Sequence, residues 1–241
     1  MRSAGLILFL LSVGCHFDVT GLVVGATTND LNGSDVDLAA PPGLDLSPPS
    51  PDLRQVAGHL SGAVADSANR TVDLTSGARD WVHFGLNAPG DLNRKAGITP
   101  LISNFTPLAV ATLHRFTDNH VTFTWSDGSP TASSSGTTSG VYYNSSPKGF
   151  QITAPADTAT RTLKVYVSAY QADFVLTAHL SDSSAPDYTD TQTNNVNSTS
   201  IYREYTFVYN AATVGKLQVS WYDSVDHNGV GNVTLSAAVL Q

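Results

Sequence analysis

The sequence predicts an all-β fold, an antiparallel β-sandwich, on three grounds. Charged residues make up only 13% of the 241 residues and Glu204 is the single glutamate, so residues that favour helices are scarce. Ser, Thr, Asn, Gly and Asp are abundant, as is typical of strands joined by turns. Apolar residues recur at every second position in several short segments, which indicates strands with one buried face.

The alternating segments are the predicted strands. In chain order they are residues 121–125, 162–167, 174–180, 216–221 and 232–240. Gly, Pro, Asn and Asp separate them, with no helical pattern between and no repeat of fixed period. We therefore expect one sandwich domain over residues 58–241, and an apolar content of 41% is sufficient for its core.

Residues 1–14 are predicted to form an export signal peptide. The start, MRSAGLILFLLSVGC, has one arginine and then an apolar run too short to span a bilayer. The stretch LSVGC resembles a bacterial lipobox, which implies cleavage before Cys15 and acylation of that cysteine. Ser12 stands where the pattern usually has Leu, Val or Ile, so the alternative is an ordinary signal peptide cleaved nearby.

The same resemblance predicts where the protein is delivered. His16 follows the cysteine, in place of the Asp that would retain a lipoprotein in the inner membrane. This implies an outer-membrane or cell-surface lipoprotein, held to the membrane by its lipid anchor. If Cys15 is not acylated, the expectation is a secreted protein.

Residues 15–57 are predicted to form a disordered linker. They contain paired prolines and many Asp, and aromatic residues are nearly absent after Phe17. Such a segment buries too little apolar surface to offset the entropy of the chain. Proline and like charges extend it, so we expect a tether that holds the domain away from the membrane.

A resemblance extends over nearly all of residues 58–241. The ordered motifs are DWVHFG, RKAGITPLISNFT, FTWSDGSPTAS, GVYYNSSPKGFQITAPADTATRTLKVYVSAY, LSDSSAPDYTD and GNVTLSAAVL. Their run is similar to secreted bacterial β-sandwich modules of the galactose-binding-like, jelly-roll type. The resemblance implies a jelly-roll topology and a carbohydrate-binding role without catalysis.

The stretch RDWVHFGLN supplies the first candidate ligand site. In a strand, Val82, Phe84 and Leu86 share the core face, which leaves Trp81 and His83 together on the other face. An indole on which a sugar ring can stack, beside an imidazole that can bond hydroxyls, suits a glycan. The alternative is that a loop or a second sheet covers both side chains.

A second candidate platform follows from the same alternation. Leu163, Val165 and Val167 face the core, which places Lys164, Tyr166 and Tyr170 on the opposite face. Tyr222 is out of phase with its apolar neighbours, and we expect it to join that face. The alternative for each aromatic is an ordinary surface or edge residue.

Aspartate-rich turns suggest a structural calcium ion as the only cofactor. Asp127, Asp187 and Asp190 lie in such turns and could supply oxygen ligands, as jelly-roll modules often do. The alternative is that these side chains stabilise their own turns. The histidines lack HxH and HExxH spacing, so a zinc site is not expected.

The charge and the motifs limit the function classes. A formal charge of -8, a pI near 5.1 and the lack of a basic patch argue against nucleic acid as a partner, whereas a neutral polysaccharide meets no electrostatic barrier. No nucleophile elbow, P-loop or paired catalytic carboxylates can be recognised, so we do not expect an enzyme. The expected function is glycan binding at a cell surface, and the alternative is a structural or adhesion module that binds protein or envelope components.

Overall fold

A computed structural model describes residues 57–144 and 146–241 of the chain. These residues form strands and no helix, so none of them lies in a helix that could cross a membrane. All strand pairs are antiparallel except one. The prediction of an all-β antiparallel sandwich is confirmed. The predicted signal peptide, Cys15 and nearly all of the predicted linker lie outside the described residues.

Three sheets contain the strands, which are numbered in chain order. The large sheet consists of β1 (His59–Asp66), β3 (Asp80–Phe84), β4 (Leu92–Lys95), β6 (His114–Phe116), β8 (Gly128–Ser129), β10 (Gly140–Asn144), β12 (Arg161–Tyr170), β15 (Ser200–Asn210), β17 (Asn232–Leu235) and β18 (Ala237–Leu240). The second sheet consists of β5 (Thr106–Pro107), β11 (Gly149–Ala156), β13 (Ala172–Leu180), β14 (Tyr188–Gln192) and β16 (Gly215–Asp226). The small sheet consists of β2 (Thr71–Asp73), β7 (Thr122–Trp125) and β9 (Ser134–Thr137), and its β2–β7 pair is the parallel one.

Strand β12 is the centre of the large sheet. It pairs with β15 along its whole length on one side, and β15 pairs in turn with β1. On its other side it pairs with β18 near its start and with β17 near its end. The predicted strand 232–240 is therefore divided at Ser236, whose carbonyl accepts a bond from Phe84 and whose N–H donates to Tyr166. Beyond this division the sheet branches, with β17 next to β10 and β6 and β18 next to β3 and β4.

The main core lies between the large sheet and the second sheet. The alternation predicted for β12 is confirmed, because Leu163, Val165 and Val167 all point into this core. The second sheet contributes the buried alternate residues of β11, β13 and β16, including Trp221. The two facing sheets make this part of the molecule a β-sandwich.

A second core lies between the outer face of the large sheet and the small sheet. Trp81 of β3 and Tyr166 of β12 pack here against Phe123 and Trp125 of β7. Strand β3 is therefore buried on both faces, with Val82 in the main core and Trp81 in the second. The small sheet adds a third layer that covers only part of the large sheet.

Two buried side chains are ionisable and lack hydrogen-bond partners among the described residues. The ring nitrogens of His83 lie in the second core against Phe123 and Trp125. The carboxyl oxygens of Asp223 are equally enclosed, at the end of the main core. Because a buried charge without a partner is costly, both groups favour their neutral forms.

The stability of the second core should depend on the protonation of His83. Burial, with the charge of Arg115 acting in the same direction and the Ser139 backbone acting against them, lowers the pKa of His83 to about 4 from 6.5. The unfolded chain takes up the proton near pH 6.5, so this group's contribution is complete above that pH and is lost as the pH falls towards 4. The loss amounts to about 3 kcal/mol. Urea unfolding of H83F at several pH values should show this dependence removed, with the exposed His59 replaced in H59F as the control. Parallel curves for wild type and H83F would contradict this assignment.

Asp223 should have the opposite pH dependence. Burial, with Asp226 and Asp173 acting in the same direction and His227 against them, raises the pKa of Asp223 to about 6 from 3.8. The folded state then holds a proton that the unfolded chain releases, so stability is lost as the pH rises through 6. We expect D223N to be more stable than wild type by roughly 3 kcal/mol at pH 8 and by little at pH 3.5.

Urea unfolding at the two pH values measures this difference. The exposed Asp118, replaced in D118N, is the matched control and should leave the free energy of unfolding close to that of wild type. A D223N variant that is no more stable at pH 8 than at pH 3.5, relative to wild type, would show that the carboxyl is already solvated or paired.

Candidate functional site

Trp81 and His83, the first predicted ligand residues, lie beneath the small sheet. Both are fully buried. The Trp81 ring lies 5.4 Å from Trp125, and the His83 ring lies 5.3 Å from Trp125 and 5.6 Å from Phe123, measured between centroids. The small sheet therefore covers both side chains, as the alternative expected. In this position neither ring is accessible to a ligand.

Asp127 holds Trp81 in place. Its carboxylate accepts hydrogen bonds from Trp81 Nε1 at 2.8 Å and Thr75 Oγ1 at 3.0 Å, and it pairs with Lys95 Nζ. Burial acts to raise the pKa of Asp127, but the bonds from Lys95, Trp81 and Thr75 outweigh it and leave this pKa below its ordinary value. The carboxylate is therefore charged and occupied by donors from the protein itself.

The other two aspartates predicted as calcium ligands lie elsewhere. Asp187 bonds His179 Nδ1 at 2.7 Å, and Asp190 accepts a 2.6 Å bond from the Tyr205 hydroxyl. Both belong to the second sheet or the turn before it, whereas Asp127 lies beside the small sheet. The fold does not bring the three together, and the residues that the structure describes contain no group of three or more His, Cys, Asp or Glu placed to hold a metal ion.

The second predicted platform is divided between a covered and an open part. Lys164, Tyr166 and Tyr170 do share the outer face of the large sheet. Tyr166 is buried against Phe123 in the second core, and burial followed by the charge of Glu204 raises its pKa. Lys164 is paired with Glu204 at 3.0 Å. Tyr170, at the end of β12, is only half-buried.

Tyr222 does not join this face. It belongs to β16 of the second sheet, where its neighbour Trp221 fills the main core. Alternation therefore turns Tyr222 to the outer surface of the second sheet, on the other side of the sandwich, where it is 37% exposed. The sequence shows correctly that Tyr222 points away from the core, but it does not show which sheet contains the residue.

An open groove crosses the large sheet beside Tyr170, where the small sheet ends. We call it the aromatic groove. Its aromatic residues are Phe116, Tyr142, Tyr170 and Tyr202. Its polar residues are Asp118, Ser168, Ser200, Asn232 and Thr234. This part of the groove, the first hollow, has a volume of about 270 Å³. An adjoining second hollow of about 510 Å³ continues the groove past Tyr202 to the segment Asp66–Ala68.

The floor of the groove is a row of residues on neighbouring strands. Tyr142 of β10 lies opposite Thr234 of β17, and Ser168 of β12 lies opposite Tyr202 of β15. Thr234 Oγ1 accepts a 2.8 Å bond from the Ser168 N–H and lies 2.7 Å from the Ser168 hydroxyl, which joins the two halves of the row. Two tyrosine rings therefore stand at either side of a pair of hydroxyls.

The loop between β6 and β7 forms one wall. Its buried polar residue, Asn119, donates a 2.8 Å bond to Ser236 Oγ and accepts a bond from the Val121 N–H. These bonds hold the exposed neighbours of Asn119 over the groove. One of them, His120, stacks on Tyr202 with 4.9 Å between centroids and 12° between planes. The other, Asp118, lines both hollows.

The far end of the groove has a second pair of stacked rings. His114 of β6 lies on Tyr142, with 5.1 Å between centroids and 25° between planes. Phe116 reaches over Gly140, where a Cβ would come within 2.5 Å of the Phe116 ring. Glycine at this position therefore permits the approach of Phe116, and a larger residue would displace that ring.

Of the residues predicted from the sequence, only Tyr170 lines the groove. Phe116, Tyr142 and Tyr202 were not predicted, since they belong to strands far apart in the sequence that the fold brings side by side. Alternation could have indicated part of the groove, because Tyr142 lies between the buried Val141 and Tyr143 and so must point away from the main core. Which part of that outer face is left uncovered depends on the small sheet.

The comparisons with protein families and with curated proteins give no relative from which a function could be transferred. No protein-family model matches the chain, and no curated protein matches it. The inference of function therefore depends on the groove and the chemistry of its residues.

Proposed function

We propose that the sandwich domain is a non-catalytic glycan-binding module and that the aromatic groove holds the ligand. The observation that carries this proposal is the open floor of the groove, where half-buried Tyr142, Tyr170 and Tyr202 alternate with hydroxyl and amide side chains. A contiguous group of partly open aromatic rings rimmed by polar side chains is typical of a ligand-binding groove.

The chemistry of a sugar fits both kinds of residue. The C–H face of a pyranose packs on an aromatic ring, while its hydroxyls need hydrogen-bond partners around the edge. Asn232, Ser200 and the carboxylate of Asp118 stand beside the rings and can supply such partners. The tyrosine hydroxyls can donate and accept as well, so the groove can satisfy a ligand that has many hydroxyls.

The charges of the groove favour a ligand without negative charge. Asp118 is exposed and lines both hollows, and Asp66 lines the second. Arg203 also lines the second hollow, but its guanidinium donates to Gln192 Oε1 at 2.7 Å and to the Tyr202 carbonyl at 3.1 Å, so it is already occupied. With a net charge of -8 on the chain, an acidic polymer would be repelled.

The arrangement favours binding over hydrolysis. A glycosidase needs two carboxyl groups on either side of the scissile bond, one of them to donate a proton. Asp118 is the carboxylate among the residues that line the first hollow. In the second hollow, which Asp66 and Asp118 both line, Asp66 lies 3.8 Å from the Arg203 guanidinium and is engaged in that ion pair.

We further propose that the module is exported and held at a cell surface by a lipid on Cys15, with the proline- and aspartate-rich segment as its tether. This rests on the sequence of residues 1–57, which resembles a lipoprotein signal followed by a linker. A glycan-binding domain on a tether could reach polymers at some distance from the membrane.

Replacing a groove tyrosine should weaken binding to neutral polysaccharide without unfolding the protein. We expect Y170A and Y202A each to lose about tenfold in affinity, the loss expected for one stacking partner worth 1 to 1.5 kcal/mol. Isothermal titration and pulldown against plant, algal and bacterial glycans measure this, with the melting temperature recorded for each variant.

The matched control is Y222A. Its side chain is a partly exposed tyrosine on the other sheet, so its removal should leave binding unchanged. Wild-type affinity in both groove variants would move the site away from the groove. If no glycan binds wild type, and envelope proteins are retained in a pulldown that survives added sugar, the structural or adhesion function replaces this proposal.

The anchor is tested separately. In a bacterial host fed labelled palmitate, wild type should take up the label and sediment with membranes, and C15A should do neither. The conservative variant C15S should also lose the label, since acylation requires the thiol. An unlabelled wild-type protein in the medium would establish an ordinary signal peptide instead.

A further inference from the structure

The geometry points to the interior of a linear, uncharged glycan chain as the ligand, bound along its length at two adjoining subsites. This inference rests on the proposed function and adds the form of the ligand to it. The first subsite is the hollow around Phe116 and Tyr142, and the second is the hollow around His120 and the segment Asp66–Ala68. Tyr170 and Tyr202 line both.

The spacing of the tyrosine rings requires more than one sugar. Tyr142 lies on β10 and Tyr202 on β15, with β17 and β12 between them. Three strand spacings separate the two by about 14 Å. A pyranose ring is about as large as one aromatic ring, so a single sugar cannot reach both tyrosines. A ligand that uses both must be a chain of several sugars.

Both ends of the groove are at sheet edges. At one end the groove reaches β6, which is the last strand on its branch of the large sheet. At the other end the β1–β15 ladder stops at the pair Asp66 and Arg203, and the Ser67 N–H still bonds the Tyr202 carbonyl, so Ser200 is the groove residue that lies beyond this contact. From β6 to β15 the floor spans four strand spacings, about 19 Å. A glycan chain can therefore enter at one edge and leave at the other.

The two subsites are alike in chemistry, as a repeating polymer requires. In the first, Tyr142 is backed by the stacked ring of His114 and lies next to Thr234. In the second, Tyr202 is backed by His120 and lies beside Ser200. Each tyrosine is held by a neighbouring ring, so little rotamer freedom remains to be lost when a sugar stacks on it.

A length series tests this inference with the full chain. The probes are neutral oligosaccharides of one to six units, in β-1,4-glucose, β-1,4-xylose, β-1,4-mannose and β-1,3-glucose series, with the matching polymers. In the series that binds, we expect affinity to rise at least tenfold between two and five units and then to level off. Reducing the terminal sugar of the hexamer with borohydride should leave its affinity within twofold, because an internal segment is bound. Oligogalacturonates of the same lengths should bind at least tenfold more weakly.

Two variants separate the subsites. Y142A should lower the affinity for the hexamer about tenfold, and H120A should lower it severalfold by releasing the Tyr202 ring. Neither should change the melting temperature by more than Y222A does. For a disaccharide, which can occupy only one subsite, each loss should be smaller than for the hexamer.

The outcomes distinguish this inference from the proposed function. Full affinity for a monosaccharide, or loss of binding when the chain end is reduced, would overturn the internal chain mode and leave glycan binding standing. Tight binding of oligogalacturonates would overturn the uncharged class. If none of the oligosaccharides or polymers binds, the proposed function itself fails and this inference fails with it.

Discussion

The contact of the small sheet with the outer face of the large sheet determines which part of that face is left open. Trp81 and Trp125 pack against each other at this contact, and Asp127 receives the Trp81 N–H together with the Lys95 ammonium. Glu204, the only glutamate, adds a second attachment, because its carboxylate pairs with both Lys164 of the large sheet and Arg70 at the start of the small sheet. A buried carboxylate with two cationic partners is stable where an unpaired one would not be. The small sheet is thus held at Tyr166, and the outer face beyond it, from Ser168 to Tyr170, is left as a groove.

The polar side chains at the edge of this contact form hydrogen bonds with one another. Ser168 bonds to Thr234, and Asn119 bonds to Ser236, so strand β12, the β17–β18 bend and the loop wall are joined by hydrogen bonds where the apolar packing ends. Buried polar groups are tolerated when they are paired, and in return they fix a single arrangement of the chain. The loop that presents Asp118 and His120 is consequently fixed from below, although both residues are exposed.

The sequence predicts the faces of the strands well and the neighbours of those faces poorly. Alternation depends on the local backbone, so the core face of β12 and the two faces of β3 follow from residue order. It does not show that the face of Trp81 and His83 has a third layer above it, because the covering residues Phe123 and Trp125 lie some forty positions away. For the same reason the sequence predicts correctly that Tyr222 points away from the core, but it assigns the residue to the wrong sheet. The groove needs residues from five strands, and only Tyr170 could be recognised before the strand order was known.

A groove built on strands differs physically from a site built on loops. Tyr142, Ser168, Tyr202 and Thr234 are part of paired strands, and their positions are set by ladder hydrogen bonds rather than by loop conformation. A flexible polymer loses conformational entropy when it is bound, and a rigid surface keeps the protein's own share of that cost small. Each contact is weak, so the affinity must come from several of them along the polymer. A row of tyrosines with fixed spacing therefore favours a ligand whose own repeat is regular, and selects for length more strongly than for any one sugar.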